Sequence, residues 1–374
     1  MYNRNPKGVS VMSDLKKKSL IWKIPLFVLL AVTVIAAAYV AYVFIVYSRI
    51  EDMQSIDTDD ATAEVAKTGE EYTAVSYNIG FGAYTADYTF FMDEGKESRA
   101  RSRESVINCT NGCAGNALSF DPDIALFQEV DTDSDRSWHV DQRDMINELF
   151  RKHGDYDSVF ASNYHSSYLM YPPLEPIGAS NSGILAESKF DITSTVRRSL
   201  PVADGFSKIL DLDRCYTISR ISVEGGKELV LFNLHLSAYG TDAALGNAQL
   251  AMLFGDMSRE YASGNYVLVG GDFNHDFPVT SKEYFNPGTD RSFAWCEPFP
   301  DNMLPDGFKK CTDYDGEMIA TTRYTDIPYG PDSFTVILDG FIVSDNITVK
   351  SVSNVDFGFE YTDHNPVVLK FVLN

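Results

Sequence analysis

Eight polar residues stand at the edges of short apolar runs, and their types fit one chemistry. Asn78 closes YTAVSYN, Glu129 closes DIALFQE, and His235 follows LVLFNL. Asp272 and Asn274 follow VLVGG, Asp339 follows VIL, and Asp363-His364 precedes NPVVLKF. Glu129, Asp272 and Asp363 are hard oxygen ligands of the kind that Mg²⁺ or Mn²⁺ takes, one or two ions at a time, while keeping waters and binding substrate phosphate. His235 and His364 titrate nearest neutral pH, which suits them to proton transfer and to charge on a phosphoryl oxygen. Asp339 can hold an imidazole in its useful tautomer. Asn78 and Asn274 can orient a phosphate or a water without adding negative charge. Together these groups are equipped for metal-assisted hydrolysis of a phosphoester.

Local alternatives compete with that reading. In VLVGGDFNHD, Asp272, Asn274 and Asp276 alternate and Glu283 lies eleven residues after the first of them, close to the spacing of a calcium loop. An EF-hand needs a helix before its first Asp and Gly at the sixth position. Here a strand-like YVLVGG comes first and Phe277-Pro278 occupies the turn, so Asp276 and Glu283 drop out of the site. Taken singly, Glu129 and Asp339 read as ordinary strand-end acids, and His235 reads as a core histidine. Recurrence at six strand edges argues for a cluster, because carboxylates are rarely buried without a purpose. Strand alternation turns His235 away from Leu234 and Leu236. His139, His153 and His165 have no such setting and read as surface residues, whereas His275 adjoins the site. Arg99, Arg101 and Arg103 do not share one helical stripe and read as a solvated face. The stretch SNYHSSYLMYPPLEP, with Tyr164, Tyr168 and Tyr171, reads as a packed surface loop or as a contact for a lipid or a ring-bearing substrate.

Something must bring these dispersed groups together. The runs YTAVSYNI, DIALFQEV, SGILAES, ELVLFNLHL, YVLVGGDF, VILDGFIV and PVVLKFVL are short, rich in β-branched and aromatic residues, and bounded by turn formers, so they are expected as strands. Helices are expected over Ser98–Leu118, Gln142–His153 and Asp242–Ala262. Strands alternating with helices over about 300 residues predict a layered α/β (α+β) domain. In such a sheet the strand edges can converge on one crevice.

Six motifs in this order, YNI, FQEVD, NLHL, GGDFN, LDGF and TDHNPV, resemble the endonuclease/exonuclease/phosphatase superfamily over residues 71–374. Its members include pancreatic deoxyribonuclease, AP endonucleases, inositol-polyphosphate 5-phosphatases and neutral sphingomyelinases. The resemblance implies a four-layer sandwich, two packed β-sheets flanked by helices, with the site at its top. It implies that Glu129 is the principal metal carboxylate, that Asp272 positions or activates the water, and that Asn274 contacts the phosphate. His364 becomes the essential histidine, paired with Asp339. Asp363 completes a metal or water shell, and Asn78 and His235 hold phosphoryl oxygens. Two departures stand out. Thr362 replaces the usual Ser, keeping the hydroxyl, and no Tyr or Arg between the Glu and GDFN motifs matches clearly, with Arg220 and Tyr168 as candidates.

Composition narrows partner and place. The chain has 374 residues and a formal net charge of −22. Residues 1–50 hold seven Lys/Arg and one acid, which leaves a net −28 on the remainder. Such a body repels polyanions at long range and is a poor fit for tight nucleic-acid binding. Residues 24–47 run 24 positions without a charge, long enough to span a bilayer and longer than a signal-peptide core. Lys16–Lys18 and Lys23 precede that span while Glu51, Asp52, Asp57, Asp59 and Asp60 follow it. The positive-inside bias therefore predicts a single-pass cell-membrane protein with a cytoplasmic N-terminus (1–23), a transmembrane helix (24–47), an acidic linker (48–70) and an outward catalytic domain (71–374). Five cysteines leave at least one unpaired thiol and no pairing fixed. The function expected is a membrane-anchored, Mg²⁺-dependent phosphoester hydrolase acting on a lipid headgroup or small-molecule phosphodiester. An extracellular nuclease and a non-catalytic binding module are the rivals, nucleic acid is a less favoured substrate, and no protein partner is implied.

Overall fold

The apolar runs are buried almost throughout, and successive residues alternate between a core shared by two sheets and clusters on their outer faces. The computed structural model describes residues 8–58, 61–202, 208, 213–238 and 243–374, with side chains from Lys23 onward save at Ala243. They divide into two units, Met1–Ser48 and Arg49–Asn374. The first contains helix α1 (Gly8–Val46), whose segment Lys23–Val46 has a mean hydropathy of 2.6 and is 6% buried. By length and composition that segment is apolar enough to cross a membrane. Arg4 and Lys7 of the expected basic N-terminus lie outside the described residues.

In the second unit, one sheet has seven strands in the order β1 (Gln54–Ile56), β6 (Ile192–Ser199), β7 (Cys215–Val223), β8 (Lys227–His235), β9 (Tyr266–Asp272), β13 (Asp339–Ser344) and β10 (Phe308–Lys310). The other has six, in the order β14 (Ile347–Asn354), β15 (Val367–Leu373), β2 (Glu71–Asn78), β3 (Ile124–Asp131), β5 (Gly178–Ser188) and β4 (Asp157–Leu169). A two-stranded ribbon, β11 (Thr322–Arg323) with β12 (Thr335–Val336), stands apart. Ala74, Leu126, Leu229, Leu231, Leu268 and Phe341 fill the space between the sheets. The intervening residues face outward under helices. Val75, Phe127 and Leu185 meet Ala114 and Ala117 of α2 (Arg103–Leu118) and Ile146 and Phe150 of α3 (Gln142–His153). Val230, Phe232 and Val269 meet Leu250, Leu253 and Met257 of α4 (Ala243–Ala262). The result is the expected four-layer sandwich of two sheets flanked by helices.

Strand polarity explains why one edge collects the polar groups. β2 runs parallel to β3 and β8 parallel to β9, and the contact between Asn78 and Asp272 at the ends of β2 and β9 puts all four ends on the same side. β13 is antiparallel to β9 and β15 to β2, so these two begin there. This corrects one expectation: Asp339 opens its strand instead of following it, because Val336 belongs to the separate ribbon. The first long helix also starts later than expected, at Arg103, because the Ser102 side chain accepts the Ser105 N–H and caps it. Asp242 lies outside the described residues.

Within the stretch 48–70, expected as an extended acidic linker, the described residues from Arg49 onward make contacts with the body. Arg49 donates to the Leu200 carbonyl, Ile50 N–H to Asp213, and Gln54–Ile56 adds the edge strand beside β6. Ala61 and Thr62 N–H both donate to Asp157 Oδ1, and Ala66 is buried. Unsatisfied backbone on an edge strand and a buried carboxylate gain partners, which offsets the polarity of the stretch. All five cysteines are free and buried.

The two glycines before Asp272 are fixed by space. A Cβ on Gly270 would lie 2.7 Å from Leu126 Cδ1 in the facing sheet, and Gly271 adopts φ +146 with its missing Cβ directed into the Leu234 carbonyl. Gly271→Ala is expected to destabilise the domain by about 1–3 kcal/mol from backbone strain alone. Gly115→Ala, in open space on α2, should be neutral or mildly stabilising. Thermal unfolding of the two variants checks the contrast, and equal midpoints would refute it.

Candidate active site

Parity delivers four of the expected groups to the mouth between the sheets. Asn78 lies four residues after inward Ala74, His235 four after Leu231, and Asp272 four after Leu268, while Asp339 lies two before Phe341. Register then aligns three of them in one row, with His235 opposite Asp272 and Asp272 opposite Asp339. Glu129 has the wrong parity, since Ala125 and Phe127 face the helices. A bulge between Phe127 and Val130, with Glu129 at φ 56, puts its carboxylate within reach of Asn78. Asn274, at φ 47, completes a tight turn in which its N–H donates to Asp272 Oδ1.

The contacts form one connected set. Asn78 Nδ2 donates to Asp272 Oδ2 at 3.1 Å and to Glu129 Oε1 at 3.3 Å, bridging the two carboxylates across the sheets. Asp272 Oδ2 lies 3.6 Å from His235 Nε2 and 3.8 Å from His364 Nε2. His364 Nδ1 is 2.8 Å from Asp339 Oδ2, and Thr322 Oγ1 donates to that same oxygen. Thr362 Oγ1 donates to the Asn78 carbonyl at 3.0 Å, so the threonine's hydroxyl has a defined role in tying the last motif to the first. Asn274 Nδ2 is engaged by the Leu236 carbonyl.

Burial and neighbours set the charges. Burial lifts the Asp272 carboxyl to about 7, with Asp339 adding to the rise and His364 opposing it. Burial likewise raises Asp363 to about 6, against the pull of His364. For His364 burial disfavours the cation, but Asp339, Asp363 and Asp272 outweigh it and hold the imidazole up at about 10. His235 goes the other way: burial, with Arg214 and His364 nearby, pushes it well below the ordinary histidine range and keeps it neutral.

Among the described residues one donor set is close enough together to hold a cation, and a second has the chemistry for one. Asp272, Asp339 and His364 present ligand atoms within 4.8 Å of one another. An imidazolium cannot ligate, and its Asp339 partner keeps His364 in that form near neutral pH, so this set fits poorly as it stands. Glu129 and Asp272, joined by Asn78, with Asp363 raised in part by Glu129, offer the oxygen-only chemistry that a hard divalent ion takes.

The cleft is lined by Glu129, His235, Asp272, Asn274, Asp363 and His364, so it brings together six of the eight sequence candidates. Asn78 and Asp339 are fully buried behind it. It is also lined by groups that sequence reasoning missed: Tyr84, Asp93, Arg214, Trp295, Thr322, Arg323 and Tyr324. Arg214 had a signal. It precedes β7, which starts at the edge where antiparallel β8 ends, Tyr216 pairing with Leu234. Arg220 does not line the cleft but pairs with Glu228 and Glu260, and Tyr168 sits on an exposed hairpin end. His275 also stays off the cleft lining, its Nδ1 on the Phe273 carbonyl. His139 and His153 meet surface carboxylates, and His165 lies 2.7 Å from buried Asp213. Asp276 accepts N–H groups at the start of α5 (Ser281–Phe285), a capping role.

Comparison with known proteins agrees with this geometry. No curated relative matches the sequence. An endonuclease/exonuclease/phosphatase protein from Beutenbergia cavernae has TM-score 0.55 at 16% identity, covering 81% of this chain and 72% of that one. ANGEL2, described as a 2′,3′-cyclic phosphatase in complex with adenosine-2′,3′-vanadate, has TM-score 0.52 at 16% identity, with 88% and 99% covered. D. rerio TDP2 complexed with a single-strand DNA product has TM-score 0.50 at 12% identity, with 81% and 99% covered. At these identities the structures establish the fold. The family model for Endonuclease/Exonuclease/phosphatase proteins matches residues 75–364, from the strand that delivers Asn78 through to His364. With its motifs gathered at one sheet edge and most of its length matched, the chain belongs to the endonuclease/exonuclease/phosphatase family.

Proposed function

We propose that this chain is a membrane-anchored, outward-facing, divalent-metal-dependent phosphoester hydrolase. The observation that carries the hydrolase reading is the Asp339–His364–Asp272 series standing beside the Asn78–Glu129 bridge in one cleft. Glu129, with Asp363 and Asp272, would hold the cation, Mg²⁺ or Mn²⁺, which supplies charge for a phosphoryl oxygen when bound. Asp272, raised close to neutral pH, accepts the proton of the attacking water. His364, held as an imidazolium, stabilises charge on the phosphoryl group, and Asn78, Asn274 and neutral His235 position its oxygens. The apolar segment Lys23–Val46 supports the anchor, and the lysines before it support the orientation.

A lipid headgroup or small-molecule phosphodiester fits an acidic body better than duplex DNA does. A nucleotide phosphodiester is the second reading. It is favoured by Arg214 and Arg323 in the cleft and by Trp295 stacked with Tyr324 at 5.8 Å on its wall. The test uses the full chain in detergent with Mg²⁺ or EDTA. It is offered phosphatidyl-headgroup vesicles, bis-p-nitrophenyl phosphate, DNA, RNA and a 2′,3′-cyclic nucleotide, the class named for ANGEL2. Turnover with Mg²⁺ that EDTA abolishes is expected; no turnover of any substrate would defeat the hydrolase reading and leave a binding module.

Metal linkage gives a second readout. Asp272 and Asp363 have folded pKa values raised to about 7 and 6, so the stability present below their ordinary range is lost as pH rises through those values. A bound divalent cation compensates the ionised pair. Mg²⁺ should therefore raise the unfolding temperature more at pH 8 than at pH 5. Equal shifts at both pH values would refute the assignment of these carboxylates to the cation.

A further inference from the structure

The hairpin joining β4 to β5 turns apolar side chains outward. Tyr168 is 40% exposed, Met170 57%, Tyr171 66% and Leu174 100%. The base of the hairpin is held on the body: Leu169 and Ile177 pack into the cluster around Phe81 and Tyr88. Ile177 N–H donates to the Tyr171 carbonyl at 3.1 Å, and Ser98 Oγ donates to the Glu175 carbonyl. Inward and outward residues are thus sorted, and the outward ones gather at one tip. Exposed apolar groups gathered in this way mark an interaction surface.

Three observations choose the occupant. The tip is uncharged from Tyr168 to Leu174, whereas residues 51–374 carry a net −28, so this is a segment that can approach an anionic bilayer without repulsion. Its tyrosines, methionine and leucine are the mixture that settles at a lipid–water boundary, with amphipathic rings at headgroup depth. A chain of rings also connects the tip to the cleft. Tyr171 lies 5.6 Å from Phe91, Phe91 4.9 Å from Phe90, and Phe90 5.6 Å from Tyr84, which lines the cleft.

We propose that the Tyr168–Leu174 tip inserts into the surface of a lipid bilayer and sets the cleft against headgroups. The inference rests on the membrane-anchored part of the proposed function and not on the hydrolysis.

Site-directed spin labelling tests it on the full chain in phosphatidylcholine/phosphatidylglycerol vesicles. The label goes on Leu174→Cys, or for comparison on Glu224→Cys in an exposed turn; the five native thiols are buried. The label at 174 should collide with oxygen and be shielded from a water-soluble nickel chelate, with the opposite ratio at 224. Adding Met170→Asp should shift the label at 174 back toward the nickel-accessible side. If the chain resists carbonate extraction while the label at 174 behaves like that at 224, the docking proposal fails alone. A label shielded from both reagents would mean a protein partner and also overturn it. Release of the chain by carbonate would overturn the anchor and the docking together.

Discussion

His364→Ala is expected to lower turnover about 10²- to 10⁴-fold, the range for a positioned proton-transfer or charge-stabilising group, which is roughly 3–5 kcal/mol of barrier. The size follows from the setting. His364 is buried, its Nδ1 is 2.8 Å from Asp339, and its Nε2 is 3.8 Å from Asp272 Oδ2. Asp339 and its acidic neighbours hold the imidazole up at about 10, so it carries a full charge at neutral pH. Asp339→Asn separates charge from mere presence. It leaves an oxygen on His364 Nδ1 but removes the negative charge, so the histidine should fall toward its ordinary value of about 6.5. Activity that needs the imidazolium is lost as pH rises through the histidine's pKa. The alkaline limb of the pH–rate profile should therefore move from near 10 in the native chain toward neutrality in Asp339→Asn. Equal turnover by the native chain and His364→Ala would sink the assignment, and an unmoved alkaline limb would sink the role given to Asp339.

Much of the site was legible because a period of two carries information about facing. Asn78, His235 and Asp272 sit at even spacing from residues that fill the core, so a strand reading alone turns them inward. Glu129 was found by residue type, yet its parity is wrong, and only the bulge brings it in; no local pattern announces a positive φ at a glutamate. The run VILDGFIV looked like one strand because apolar character is continuous across a break. The break falls where the ribbon hands over to β13, with the Leu338 and Asp339 N–H groups caught by Thr321 Oγ1. Arg214, Arg323, Trp295 and Tyr324 reach the cleft from loop and ribbon segments that have no periodicity to read. The acidic stretch after α1 misled for a different reason. Composition reports that it cannot form a core, but not that a waiting sheet edge and Asp157 supply partners for its backbone.

A second large effect is expected two residues beyond Glu129, where Asp131 and Arg136 form a buried bidentate pair. Arg136 Nε donates to Asp131 Oδ2 at 3.0 Å and Nη2 to Oδ1 at 2.8 Å, while Ser137 Oγ takes a further share of Oδ2. Burial opposes the charge on Arg136, and Asp131 overcomes it, so the guanidinium stays protonated over the Phe81 ring at 4.0 Å. Asp131 N–H is also held, by Gln142 Oε1 at 2.7 Å, which fixes the strand just past the Glu129 bulge. Asp131→Leu strands the cation in a largely buried site, and such a break costs about 3–5 kcal/mol. Arg136→Met strands the carboxylate and should cost a similar amount. The double variant should be more stable than either single one, because an apolar pair leaves no orphaned charge. Denaturant unfolding of the three variants reads this directly, and additive single effects would refute the coupling. The pair also bears on the chemistry, since Arg136 and Glu129 attract each other. Loss of the guanidinium should weaken Mg²⁺ dependence together with stability, whereas a purely structural pair would leave the Mg²⁺ concentration at half-maximal activity unchanged in the surviving folded protein.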